Sequence, residues 1–148
     1  MDVNSLSIRY LAEKQMMQLA TVRAGKPWVC TVYFVHDESY NLYWLSLPTR
    51  RHSEDIALDS TVAVAIPVEF KHPVVGMQFE GTAKIVEDIE TVKRVMQDYV
   101  DKYDDGKDFV SNFEAGTNKH QLYKFAPTHA FLLDEVHYPD GQRHEISF

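Results

Sequence analysis

The sequence predicts a mainly β protein, an antiparallel barrel with a few flanking helices. Three observations carry this. Short apolar runs separated by turn residues recur along the 148 residues. One long segment, Val75 to Val86, alternates apolar and polar side chains with the period of a strand. Only one long segment, Ile89 to Tyr103, spaces its apolar residues as an amphipathic helix does. The length fits a single domain spanning residues 1–148.

In chain order, Asn4 or Ser5 caps a first helix with Leu6, Ile8, Leu11 and Met16 on its apolar side, giving way near Met17. Gln18 to Val22 reads as a strand and Ala24-Gly25-Lys26-Pro27 as a turn. Trp28 to Val35 is a strand with two mainly apolar faces, as is Leu42 to Leu47, with the turn Asp37 to Asn41 between them. Strands apolar on both faces need cover on both sides, and few helices are available. The expected cover is a second copy of the chain, so a homodimer follows. A short helix around Ser53 to Leu58 precedes a strand from Val62 to Val68, where Pro67 marks a bulge or an edge. Lys71-His72-Pro73 is a loop, and Gly81 permits a bend in the long alternating strand. Asp101 to Asn118 is expected to be a polar loop, acidic over Asp101 to Asp108, anchored by Phe109 and Phe113. Leu122 to Phe125 and Ala130 to Leu133 are two further strands. After the turn at Pro139-Asp140-Gly141, Arg143 to Phe148 returns as the last strand.

Composition narrows the function. The net charge of -7 argues against a duplex nucleic acid or an anionic membrane surface as partner. No run is long enough to span a membrane, and the N-terminus lacks the pattern of a signal peptide. A single cysteine, Cys30, cannot form an internal disulfide, and a cytoplasmic setting is expected. In an apolar run, Cys30 reads as a small core hydrophobe rather than a nucleophile. The seven histidines show no metal-binding spacing, so no metal site is expected.

Against this acidic background, the segment from Ser46 through Thr49, Arg50, Arg51 and His52 stands out. It is a basic, hydroxyl-bearing turn at a helix start. Free N–H groups and the helix dipole favour an anion there, and arginines bind phosphate with charge-assisted bonds. The alternative is a solvated turn whose arginines pair with Glu54 or Asp55. Trp28 and Trp44 either stack near a ligand or fill the core of the dimer. Gln78 is either a ligand or a plain outward residue, and Arg143 and His144 either reach a partner subunit's pocket or belong to a solvated tail.

The order of these motifs resembles the pyridoxamine 5'-phosphate oxidase-like family of FMN-binding split barrels. The resemblance rests on Leu-Ala-Thr-Val, Pro-Trp-Val-Cys-Thr-Val-Tyr-Phe-Val, Leu-Tyr-Trp-Leu-Ser, Thr-Arg-Arg-His, Val-Ala-Val-Ala-Ile, Gly-Met-Gln-Phe-Glu-Gly-Thr-Ala-Lys-Ile-Val and Tyr-Lys-Phe-Ala-Pro-Thr, in that order. It covers nearly the whole chain and implies a six-stranded antiparallel split barrel, dimeric, with FMN at the subunit interface. By position it puts Arg51 and His52 on the FMN phosphate, with His52 standing where the family has Lys. Arg50 joins them in the same turn. Ser46 and Thr49 meet the phosphate or ribityl chain. Cys30, Thr31, Val32 and Tyr33 form the strand whose backbone edge faces the flavin ring, and Gln78 lends a side chain. The C-terminal Asp-Gly-Gln-Arg-His-Glu-Ile-Ser-Phe departs from the basic motif of true pyridoxamine phosphate oxidases, which argues against vitamin B6 chemistry. The resemblance thus implies an FMN-dependent oxidoreductase with a small-molecule substrate. The alternatives are a non-enzymatic module carrying flavin, haem or F420 on the same scaffold, and a structural dimer without cofactor.

Overall fold

In the computed structural model, which describes residues 1–103, 106–116 and 119–148, one antiparallel sheet curls around a core plugged by helix. The first helix, α1 (Val3–Glu13), is capped two or three residues earlier than expected, by Asp2, whose carboxylate accepts from Ser5 N at 2.8 Å. It buries Leu6, Tyr10 and Leu11 inside the curl. Strands β1 (Met16–Arg23) and β2 (Lys26–Tyr33) form a hairpin through Ala24 and Gly25, both at positive φ. Then come β3 (Val35–His36), β4 (Leu42–Ser46), α2 (Arg51–Leu58), β5 (Thr61–Glu69), β6 (Val75–Ile85), α3 (Ile89–Lys102), α4 (Gly106–Glu114), β7 (Gln121–Asp134) and β8 (Arg143–Glu145).

The sheet runs β2-β1-β5-β6-β7-β4-β3, with β8 added on β7. It has eight strands rather than six. The expected strand from Trp28 to Val35 breaks at Phe34 into β2 and β3, because Phe34 N bonds back to Gln15 O and redirects the chain. Conversely, the strands expected at Leu122 to Phe125 and Ala130 to Leu133 are one, β7. β7 continues through Pro127 because a bulge there shifts the register opposite Glu80 and Gly81. Gly81 is obligatory at this point, since a Cβ would sit 2.1 Å from the Ala126 carbonyl oxygen. Strand β6 follows its alternation through Lys84, with Val75, Met77, Phe79 and Ala83 buried and Gln78, Glu80, Thr82 and Lys84 exposed, but Ile85, expected on the inward face, is 41% exposed where the strand ends.

Within the expected polar loop lies α4, and Phe113 and Val110 pack with Val95, Met96 and Tyr99 of α3. The Phe109 side chain and the acids Asp104 and Asp105 lie outside the described residues. This second cluster also takes Tyr43 and Leu122, so α3 and α4 cover the outer face of β4. The inference that β4 needs a partner subunit is therefore corrected: its second face is covered by its own chain. Trp44 likewise lies in the chain's own core, fully buried and stacked on Tyr123 at 5.5 Å.

β2 differs. It is an edge strand, and Trp28, Val29 and Tyr33 stand 43%, 59% and 55% exposed. The C-terminal side of the fold is fixed by Asp134, which accepts from Tyr10 Oη at 2.7 Å and binds His137 Nδ1 at 2.9 Å.

Candidate functional site

The basic turn closes β4 and starts α2. Ser46 ends the strand, Arg50 N donates to Leu47 O to close the turn, and α2 begins at Arg51, earlier than expected. The N-cap is Arg50, whose side chain cannot accept a hydrogen bond, and none caps the helix. The first intrahelical bond is Glu54 N to Arg50 O, so the N–H groups of the first turn have no acceptor inside the helix.

Around this end the structure brings together Ser46, Thr49, Arg50, Arg51 and His52. Ser46 Oγ and His52 Nε2 share a buried hydrogen bond of 2.7 Å. Burial, and then the charge of Arg50, holds the His52 pKa below that of an ordinary imidazole, which favours its neutral form. It does not replace a lysine as a cation, and the positive charge rests on the arginines. Thr49 and Arg50 are exposed, and among the described residues Arg50 forms no ion pair. Ser53 Oγ is buried without a hydrogen-bond partner in the same helical turn.

Arg51 is held twice. Its guanidinium lies over the Trp28 ring at 4.4 Å, and its Nε is 3.7 Å from Asp55. The solvated-turn alternative is thus realised in part, by Arg51 and not by Arg50. Asp55 is fully buried and accepts from Thr21 Oγ1 at 2.8 Å and from Arg23 Nε at 2.6 Å. Burial alone would raise its pKa, but the bonds from Thr21 and Arg23 and the two guanidinium charges outweigh burial and hold it low. Thr21, Arg23, Asp55 and Ser53 are missing from the sequence-based assignment. Arg23 lies 32 residues from Asp55, so no local pattern could reveal the pair.

The other predicted residues divide by strand parity. Thr31 and Tyr33 point to the open face of the sheet. Cys30 and Val32 point the other way and pack against the core. Cys30 is only partly buried, yet burial still pushes its thiol up to about 11, which leaves it unreactive. On the open face, register aligns Thr31, Gln18, Ala65, Gln78 and Phe131 in one row across five strands. Thr31 Oγ1 donates to Gln18 Oε1 at 2.7 Å, and Arg143 Nη1 reaches Gln78 Oε1 at 3.5 Å. Arg143 is therefore on this face rather than in a free tail.

The basic turn and this row are not on the same side. Trp28, against which Arg51 stacks, shares the inward parity of Cys30, and Thr21, which holds Asp55, faces inward from β1. The structure therefore groups Ser46, Thr49, Arg50, Arg51 and His52 at one corner, and Thr31, Tyr33 and Gln78 on the opposite face.

Compared with known proteins, residues 8–134 match a family model described as pyridoxamine 5'-phosphate oxidase. No curated protein matches in sequence. Among solved structures, similarity extends to the haem-storage protein HutZ of Vibrio cholerae (21% identity, 89% of this chain and 95% of that one, TM-score 0.73). General Stress Protein 26 of Bacillus anthracis is 18% identical, with 99% and 100% of the chains covered and a TM-score of 0.67. An FAD-binding protein of Mesorhizobium loti is 16% identical, with 85% and 88% covered and a TM-score of 0.61. At these identities the likeness is one of fold. Among the described residues no helix is long and apolar enough to cross a membrane.

Proposed function

The chain belongs to the pyridoxamine 5'-phosphate oxidase family, and from that premise we propose that it binds FMN between two copies of itself and exchanges electrons with a small molecule in the cytoplasm. One feature carries the reading: α2 starts without a side-chain cap, and its N-cap residue Arg50 forms no ion pair among the described residues. Unused donors and a free guanidinium at one helix end suit a phosphate.

In this reading Arg50 and Arg51 neutralise the phosphate, with Thr49 and the first-turn amides donating to it. Ser46 and neutral His52 hold the strand end against the helix start. The outer backbone edge of β2 from Cys30 to Val32 is offered to the ring, since among strands β2 is bonded only to β1, while the Tyr33 carbonyl accepts from Tyr99 Oη at 3.4 Å. The flavin supplies the redox chemistry when bound, and the chain supplies binding and orientation. Because Gln78 and Arg51 lie on opposite sides of the sheet, one cofactor touches both only if Gln78 comes from a second copy. The exposed Val29, Thr31, Tyr33 and Phe131 support such a copy on the open face.

The test is a spectral titration of the apo-protein with FMN, F420 and haem, with light scattering in parallel. Tight FMN binding by a dimer supports the reading. A Soret band with no flavin binding, or F420 bound in preference to FMN, assigns the scaffold to another cofactor. Reduction of bound FMN by NADH or NADPH, followed by transfer to an acceptor, supports the enzymatic part.

A further inference from the structure

At the α2 corner Ser46 Oγ and His52 Nε2 lie 2.7 Å apart, and both residues are buried, at 6% and 8% exposed. A hydroxyl and an imidazole nitrogen pair in one of two ways. Either the hydroxyl donates to a bare Nε2, or a protonated Nε2 donates to the hydroxyl oxygen. The hydroxyl proton decides between them. Among the described residues Ser46 Oγ has no other hydrogen-bond partner. With Nε2 as donor, the buried Ser46 O–H would be left without an acceptor, which is costly. With Ser46 as donor, no buried proton is left over. The neutral imidazole then carries its own proton on Nδ1.

Nδ1 is bonded to Cγ, so it stays beside the first turn of α2, where no side chain caps the helix. Among the described residues Nδ1 has no hydrogen-bond partner, and unlike Ser53 Oγ it is not sealed from solvent. The acids of that turn are engaged elsewhere, since Glu54 and Asp55 both pair with Arg23. Burial and the Arg50 charge disfavour a second proton on the ring. His52 therefore offers one N–H, without charge, at the helix start.

We propose that His52 binds the phosphoryl group at this corner as an uncharged Nδ1–H donor, and that Ser46 is the positioning residue that fixes the donor tautomer. The inference rests on the phosphoryl reading of the corner and divides the roles within it. Arg50 and Arg51 supply charge, which acts in every direction. The imidazole donates only along the plane of its ring, so it selects an anion with an oxygen in line with Nδ1. Ser46 does not donate to the ligand, because its only proton is held by Nε2.

The experiment observes the imidazole nitrogens of the isotope-labelled apo-protein by NMR and titrates it with inorganic phosphate, following the Arg50 Nε–H signal alongside. His52 is expected to show a protonated Nδ1 and a bare Nε2, and phosphate is expected to move Nδ1 more than Nε2. Ser46→Ala is expected to mix the two tautomers and to weaken phosphate at least about threefold. Ser46→Thr keeps the hydroxyl and is expected to restore both. A proton on Nε2 of wild-type His52 overturns the proposal. So does a titration that moves Arg50 and leaves Nδ1 in place, in which case the corner still holds an anion. A titration that moves neither refutes the phosphoryl reading as well. Unchanged phosphate affinity in Ser46→Ala overturns the positioning role.

Discussion

Replacing Asp55 by asparagine tests whether the basic corner is held by a buried charge. The amide keeps the size of the carboxylate and removes only its charge. Asp55 is fully buried, while Arg23 and Arg51 are 40% and 42% exposed at their side chains. The bond from Arg23 Nε falls from a charge-assisted value of about 1.5–3 kcal/mol to about 0.5–1.5 kcal/mol. Thr21 Oγ1 keeps an acceptor in the amide oxygen. Both guanidiniums can regain water, so the loss stays below the roughly 3–5 kcal/mol of breaking a fully buried pair. We expect about 2 kcal/mol, which for a chain of this length lowers Tm by about 6 °C. The sign with pH follows from the depressed pKa of Asp55. Its contribution is fully present above the unfolded value near 3.9 and is lost as pH falls through the lower folded value. Thermal unfolding followed by circular dichroism at pH 7 and at pH 3 should therefore show a gap that narrows in acid. A loss below about 0.5 kcal/mol at pH 7, or a gap that widens in acid, refutes the reasoning.

Gly81→Ala places a Cβ 2.1 Å from a backbone oxygen, and an overpacking cost of roughly 3 kcal/mol or more should appear in urea unfolding. Burial keeps His36 and His52 below the ordinary imidazole pKa, so their contribution is full above about 6.5 and declines as pH falls below it. Stability measured from pH 7 to pH 5 should decrease, with a shallower slope in His52→Asn. Tyr10 is raised to about 12 by burial and by its bond to Asp134, so its contribution holds below about 10 and is lost as pH rises from there to about 12. Tyr10→Phe should flatten that alkaline limb. If the proposed dimer forms through the open face, Tyr33→Arg there should shift it toward monomer in light scattering, because burying a new charge in an interface is costly.

What was legible in the sequence was local. The alternation of Val75 to Ile85 gave the inward and outward faces of β6, and Gly81 marked a bend because only glycine tolerates the Ala126 carbonyl. The helix read over Ile89 to Tyr103 followed from its apolar stripe, and it ends at Lys102. The basic turn was legible because arginines, a hydroxyl and a helix start adjoin within a few residues. What depended on distant residues was hidden. Asp55 looked like a surface acid beside Arg51, since its main partners Thr21 and Arg23 come from β1. Asp134 and Tyr10 meet across 124 positions. β4 appeared to need a second subunit because the packing of α3 and α4 on its outer face is a tertiary event. Leu122 to Phe125 and Ala130 to Leu133 read as two strands, where a bulge instead carries one strand past Pro127 and its missing N–H.

The central claim is that the start of α2 grips a phosphoryl group. It is tested most directly by comparing FMN with riboflavin, which lacks the phosphate, in calorimetric titrations of the wild-type apo-protein and of Arg50→Ala/Arg51→Ala. The account predicts that FMN binds the wild type at least about tenfold more tightly than riboflavin, since two charge-assisted contacts exceed 1.4 kcal/mol, and that the double substitution removes most of that advantage. Equal affinity of the wild type for the two flavins, or an FMN advantage that survives the loss of both arginines, contradicts it.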